Sequence, residues 1–352
     1  MAVAAKKILI VGPSWVGDMV MAQALFITLK QQQPDCSIDV LAPNWSLPIL
    51  ERMPEVRKGI AMPVGHGKLN FGVRLQLAKN LQSECYDQSI VLPNSLKSAL
   101  VPWLAKIPER TGWRGEMRYG LLNDIRLLKK SAYPLMVQRF IALAHQPFAP
   151  LPDKLPKPSL VVDLSRVDHL LQHYGFNQLP FIALCPGAEF GPAKRWPENH
   201  YATVAQAFID RGWQVALFGS NNDVIVTESI IGLLTEQQQS ACINLAGKTE
   251  LAEAVDILSA ASAVVSNDSG LMHIAAALAR PMAVVYGSTS PDFTPPLSDN
   301  VAVEKLEVDC GPCFQRECSL KKDKMKCLTT LSAQSVIDSL TALLPNKLAR
   351  DV

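Results

Sequence analysis

The feature that most constrains this chain is an alternation that runs through it twice. Short apolar runs suited to buried strands alternate with longer stretches of helical periodicity. In the first half the strand-like runs are "KKILIVG" (6–12), "SIDVLAP" (37–43), "QSIVLPN" (88–94) and a short one near 109–113. Helical stretches over 18–33, 44–52, 70–83, 95–104 and 134–145 lie between or after them. In the second half "FIALCPG" (181–187), "WQVALFGS" (213–220), "AVVSND" (263–268) and "PMAVVYGS" (281–288) alternate with helices near 164–174, 198–211, 222–235, 251–261 and 269–278. A last helix spans 332–344. Strands separated by helices pair in parallel, so each half predicts a doubly wound α/β domain. Ligands of such sheets bind beyond the carboxyl ends of the strands. The strand-ending loops are therefore where chemistry is sought.

The two halves are divided by proline. Between Gln146 and Ser159 come Pro147, Pro150, Pro152, Pro156 and Pro158, a density that makes a semi-stiff extended linker. The expected division is 1–158, 159–331 and a C-terminal helix in 332–352 that packs back on the first domain. The chain of 352 residues is long enough for two cores, and 48% hydrophobic with 19% charged residues excludes a disordered chain. Charge is uneven. Residues 1–175 hold 21 Lys and Arg against 13 Asp and Glu, whereas 176–352 hold 13 against 19. Two readings stand for the basic half: a surface for an anionic partner or acidic membrane face, or a solvated basic face. The longest apolar candidate, "LMHIAAALARPMAVVYG", is broken at Arg280-Pro281 and falls short of the roughly 18–20 apolar residues a span needs. The N-terminus reads as a first strand rather than a signal peptide. A cytoplasmic protein is expected.

The first glycine loop, "GPSWVGDM" (12–19), follows a strand and opens a helix. Its spacing is like a phosphate loop, but Asp18 stands where such a loop carries lysine, and a carboxylate repels phosphate. Asp18 is either a helix cap or a general base held at a strand's end. The loop "CPGAEFGPAKRWP" (185–197) is different. Gly187 and Gly191 let the backbone bend near a ligand, and Lys194 is a compact charge suited to a phosphate oxygen. The bland alternative is a surface Lys-Arg pair. In "SNDSGLMHIAAALARP" (266–281) a strand ends and a helix opens at Asp268, Ser269 and Gly270, leaving backbone N–H groups for an anion. His273 lies four residues after Ser269, on the same face. The alternative there is a simple N-cap with a core histidine. Two further loops, "FGSNNDV" and "YGSTSPDFTPP", offer Asn222 or Asp223 to ribose hydroxyls, and Thr289, Ser290 and Asp292 as lining.

Taken with "YDQSIVLPNSLKSALVPWLAKIPERTGWRGEMRYGLLND" (86–124), these segments resemble the bacterial lipopolysaccharide heptosyltransferases of glycosyltransferase family 9. The resemblance covers nearly the whole chain. It implies a GT-B-like fold, two Rossmann-like domains facing across a cleft. It also implies inverting transfer of L-glycero-D-manno-heptose from ADP-heptose to the first heptose of the inner core. By that resemblance Asp18 is the base, and Gly187, Lys194, Asp268, Ser269, Gly270 and His273 surround the donor, with Asp223 at the ribose. The basic half then has a reason: Lys97, Arg110, Arg114 and Arg118 can hold phosphates and carboxylates of the lipid A–inner core acceptor. The implied site of action is the cytoplasmic face of the inner membrane, with no nucleic-acid partner. No Asp-x-Asp pair is present, so no catalytic cofactor is expected.

"CGPCFQRECSLKKDKMKC" sets Cys310, Cys313, Cys318 and Cys327 at C-x2-C-x4-C-x8-C. Four thiolates at short spacing can hold a structural zinc; reduced thiols or a disulfide are the alternatives. The segment lies far in sequence from the proposed catalytic residues and is read as structural.

Overall fold

The computed structural model describes residues 5–65 and 68–345. The chain divides into two units, Met1–Val161 and Val162–Val352. The first holds β1 (Lys7–Val11), β2 (Ser37–Pro43), β3 (Val56–Met62), β4 (Gln88–Val91), β5 (Glu109–Trp113) and β6 (Asp124–Arg126). All pair in parallel in the order β3-β2-β1-β4-β5-β6. The second holds β7 (Phe181–Cys185), β8 (Gln214–Leu217), β9 (Cys242–Asn244), β10 (Ala263–Asn267), β11 (Met282–Tyr286) and β12 (Val301–Lys305). These too are parallel, in the order β12-β11-β10-β7-β8-β9. Each unit thus repeats the doubly wound order, and in each the order reverses between its first and fourth strands. The expected α/β class and parallel sheets are borne out.

Four strands were not legible as apolar runs: β3, β6, β9 and β12. They are the outermost strands of both sheets. Interior strands such as β7 and β10 are buried at every residue, whereas β3 ("VRKGIAM") and β12 ("VAVEK") are half-exposed and mix charge with apolar residues. Charge also fixes β3 in place. Arg57 on β3 forms an ion pair with the fully buried Asp39 of β2, and the Tyr86 hydroxyl donates to the same carboxylate at 2.5 Å. Burial, followed by Asp39 itself, pushes the Tyr86 hydroxyl well above its ordinary pKa.

Two expected boundaries move. The proline stretch ends as part of the first unit, because its last residues are tied there. Gln23 exchanges hydrogen bonds with the Ser159 backbone at 2.8 and 3.0 Å, and the Val161 amide donates to Arg52 at 2.9 Å. The Asp163 amide, by contrast, donates to Asp256 of the second unit at 3.1 Å. The C-terminal helix, expected to return to the first domain, is core of the second. Val336, Ile337 and Leu340 of the helix Ala333–Leu343 are buried with Phe208 and Val285, and Ser335 and Ser339 donate to Glu304 on β12. Residues 346–352, at the end of that expected segment, lie outside the described residues. No described helix is long and apolar enough to cross a membrane.

Candidate active site at the carboxyl ends of the strands

In the second unit the order reverses between β7 and β10, and the loops that leave these two strands carry the expected donor residues. They are held together by an interior amide. Asn267, at the end of β10 and fully buried, donates from Nδ2 to the Pro186 carbonyl at 2.6 Å. Its Oδ1 accepts from the Trp196 amide at 3.1 Å and the Tyr201 hydroxyl at 3.0 Å. Trp196, also buried, donates its indole N–H to Leu331 at 3.1 Å. The loop 186–197 is therefore fastened at both ends.

Between those fastenings lies Lys194. Its Nζ is 2.6 Å from Asp268 Oδ2 and 3.3 Å from the Asp268 carbonyl. Thr289, in the loop after β11, donates to the same Oδ2 at 2.6 Å. One carboxylate, itself 4% exposed, gathers three strand ends. Next in the chain, Ser269 caps the helix Gly270–Ala277, its Oγ accepting from the Met272 amide at 3.4 Å. The remaining first-turn N–H groups of that helix have no intrahelical acceptor and favour an anion. Ser290 turns inward on its own loop and donates to Asp292 at 3.0 Å. His273 is buried, and burial lowers its pKa to about 4; Asp268 opposes this and Lys194 adds to it. At neutral pH the ring is uncharged. It is a buried histidine on the helix that Ser269 caps.

Asp223 and Gly187 lie against one another. Asp223 Oδ2 accepts from the Ser220 amide and hydroxyl at 2.9 and 2.8 Å, and Oδ1 lies 3.6 Å from Arg195 Nη2. Its carboxylate is engaged within the unit on both oxygens. A Cβ on Gly187 would stand 2.6 Å from that carboxylate. The glycine therefore makes room for Asp223, which positions Arg195. Arg195 Nε and Ser288 Oγ are buried with no hydrogen-bond partner among the described residues.

In the first unit β1 leads through Gly12 into the helix Val16–Gln32. The N-cap position is Trp15, without a side-chain cap bond, so Asp18 is not the cap. It occupies the first turn, half-buried, where the helix dipole favours its ionised form. Beside it, Trp45 donates its indole N–H to the Ser14 carbonyl at 3.1 Å. The rings of Trp15 and Trp45 are 44% and 51% exposed.

The four basic residues expected at the acceptor separate into two pairs. Arg118 is buried, and its guanidinium donates to Pro93 O at 2.6 Å, to Ser98 Oγ at 3.2 Å and to Trp113 O. Arg110 donates to Leu121 O at 2.7 Å and Ile107 O at 2.5 Å. Both brace the loops after β4 and β5 through these bonds. Lys97 is half-buried and Arg114 exposed, and among the described residues neither has a carboxylate within ion-pair reach.

The cysteine segment has three readings: zinc, reduced thiols or a disulfide. All four thiols are free, and among the described residues no three His, Cys, Asp or Glu are gathered so as to hold a metal ion. Cys310 and Cys313 are exposed, Cys318 accepts from the Met325 amide at 3.3 Å, and burial raises the Cys327 thiol, with Cys310 and Cys313 adding to it. The expected zinc set is not assembled. The segment is tied to the loops after β7 and β11: the Ala193 amide donates to Arg316 O at 3.0 Å and the Phe314 amide to Ser288 O at 2.7 Å.

The model of glycosyltransferase family 9 (heptosyltransferase) matches residues 74–324. The chain belongs to this family. Over 344 residues it is 50% identical to lipopolysaccharide heptosyltransferase 2 of Escherichia coli K12, covering 96% of this chain and 98% of that one. It is 54% identical over 308 residues to lipooligosaccharide heptosyltransferase 2 of Haemophilus influenzae, covering 85% and 88%. The solved structure of E. coli ADP-heptose lps heptosyltransferase II superposes with a TM-score of 0.86 at 47% identity, covering 96% of this chain and 98% of that one. The GT-B-like fold and the family resemblance read from the sequence are borne out, and the chain is a family 9 glycosyltransferase.

Proposed function

We propose that this glycosyltransferase moves a heptosyl group from ADP-heptose onto the heptose-terminated inner core of a lipopolysaccharide acceptor, with inversion at the anomeric carbon. The observation that carries the donor half is the Asp268 carboxylate, which holds Lys194 and Thr289 at the crevice where the second sheet reverses. The relatives named lipopolysaccharide and lipooligosaccharide heptosyltransferase 2 support the acceptor half.

In this reading the acceptor hydroxyl gives its proton to Asp18 as its oxygen attacks the anomeric carbon. The bond from that carbon to the phosphate oxygen breaks, and the electron pair leaves with ADP. Negative charge grows on the diphosphate, where Lys194 and the first-turn N–H groups at Ser269 and Gly270 stabilise it. His273 is neutral at pH 7, so it serves as a hydrogen-bonding group and not as a charge. Lys97 and Arg114 meet anionic groups of the core, and the lipid part of the acceptor brings the enzyme to the inner-membrane face. No metal is assigned to the reaction.

The test is ADP release on mixing the protein with ADP-heptose, with and without heptose-terminated core acceptor, in EDTA. Acceptor-dependent release is expected. Release that needs no acceptor, or that stops in EDTA, overturns the reading.

A further inference from the structure

Charge at the donor crevice is almost fully compensated. Lys194 is paired with Asp268, Arg195 faces Asp223, and His273 is uncharged at pH 7. A nucleoside diphosphate brings two or more negative charges to this place. On those three residues alone it would meet a neutral wall that includes a buried carboxylate. The crevice needs a cation not already committed to an acid.

One such cation is held there by the cysteine-bearing segment. Arg316 is exposed, and among the described residues no carboxylate pairs with it. Its guanidinium carbon lies 5.5 Å from the centre of the Phe190 ring. Lys194 Nζ lies 5.2 Å from the centre of the same ring. A single phenyl group therefore carries both cations, and the charges are separated by no more than that ring and its two contacts. Cation–π attraction restrains each long side chain without neutralising it.

The backbone is built to keep Arg316 in this position. Its carbonyl accepts the Ala193 amide, immediately before Lys194, at 3.0 Å. Gly191 has φ of 153°, and a Cβ there would stand 2.5 Å from that same carbonyl. Two residues back, the Phe314 amide is fixed to Ser288 O, in the loop that supplies Thr289. The segment is tied to two of the three loops that meet at Asp268.

We infer that Arg316 is a further donor-binding residue, contributing the uncompensated positive charge that receives the diphosphate beside Lys194. The inference rests on the donor-site reading above. Arginine suits the role, since its planar fork binds phosphate oxygens in pairs and stays charged at any working pH.

The experiment is calorimetric titration of ADP, and of adenosine as the chargeless control, into wild type, Arg316→Ala and Arg316→Lys. Arg316→Ala is expected to weaken ADP about tenfold, the worth of one charge-assisted contact. Adenosine binding should not change, Arg316→Lys should recover most of the loss, and the ADP difference should narrow as salt rises. The Arg316 carbonyl is kept in both variants, so Ala193 keeps its partner, and melting temperatures check that the loop survives. Wild type that binds ADP while Arg316→Ala binds it equally overturns the inference and leaves the donor-site reading standing. An equal loss for adenosine, or no recovery in Arg316→Lys, overturns it as well. Wild type that fails to bind ADP overturns the donor-site reading and the inference together.

Discussion

The two units share one strand order, yet the crevices at their reversal points are finished differently. In the second, the loops after β7, β10 and β11 are interlocked through Asn267 and Asp268, and Lys194 and Arg195 each face a carboxylate of the same unit. In the first, the loops after β1 and β2 present exposed tryptophans at Trp15 and Trp45, and among the described residues Lys97 and Arg114 have no carboxylate within ion-pair reach. The difference follows the ligands proposed for them. A nucleoside diphosphate is small and invariant, so a preorganised wall of dipoles and charges suits it. A branched, lipid-linked sugar acceptor is large and varied in its phosphates, so exposed aromatic faces and unpaired cations suit it better.

That contrast can be broken at three points. The largest effect is expected at Asp18. Asp18→Asn should lower turnover by about 10²–10⁴-fold, the usual worth of a positioned base, while ADP titrates as in wild type. Near-normal turnover would remove the chemistry from the first unit altogether. A smaller effect is expected from acid. The folded state holds His273 near pKa 4 against an ordinary 6.5, so below pH 6.5 the unfolded chain takes up a proton the folded chain refuses. Stability should fall by about 3 kcal/mol as pH drops from 6.5 to 4. Urea titrations at both pH values would show it, and His273→Gln should flatten that part of the slope. His145 of the first unit, lowered by burial and by Arg126, leaves a residual slope of the same sign. An unchanged slope in His273→Gln would mean the ring is not held neutral by its burial. The smallest effect is expected at the acceptor cations. Lys97→Ala or Arg114→Ala should raise the acceptor KM by only a few fold, since an exposed charge contact contributes about 0–1 kcal/mol, and should leave ADP affinity and melting temperature alone. A loss of ADP affinity instead would erase the proposed division between the units.

Much of this was legible in the sequence, and the limits have physical causes. Interior strands announce themselves because both faces are buried, which forces runs such as "FIALC" and "MAVVY". Edge strands escape notice because half their surface meets water and charge is admitted. Lys194, Asp268 and Ser269 could be found because strand-ending loops in this topology have few other reasons to combine glycine, lysine and a helix start. The burial of Arg118 was not legible, because a sequence does not distinguish a guanidinium facing water from one that donates to Pro93, Ser98 and Trp113. Arg316 went unread for the opposite reason. Its neighbours in space, Ala193 and Phe190, are more than a hundred residues away, and its own segment has no periodicity. The one local trace was Gly191, whose need for space had no visible partner.

The four outer strands carry a further consequence for the enzyme in a crowded cell. A parallel sheet ends in a row of unused amide and carbonyl groups that can recruit a strand from another molecule. Here β6 and β9 are only three residues long, too short to template much. The longer edges are guarded: β3 carries Arg57 and Lys58, and β12 carries Glu304 and Lys305, with Glu304 bound by two serines of the C-terminal helix. The same irregular, charged composition that hides these strands from a reader of the sequence protects the folded chain against sheet-to-sheet aggregation.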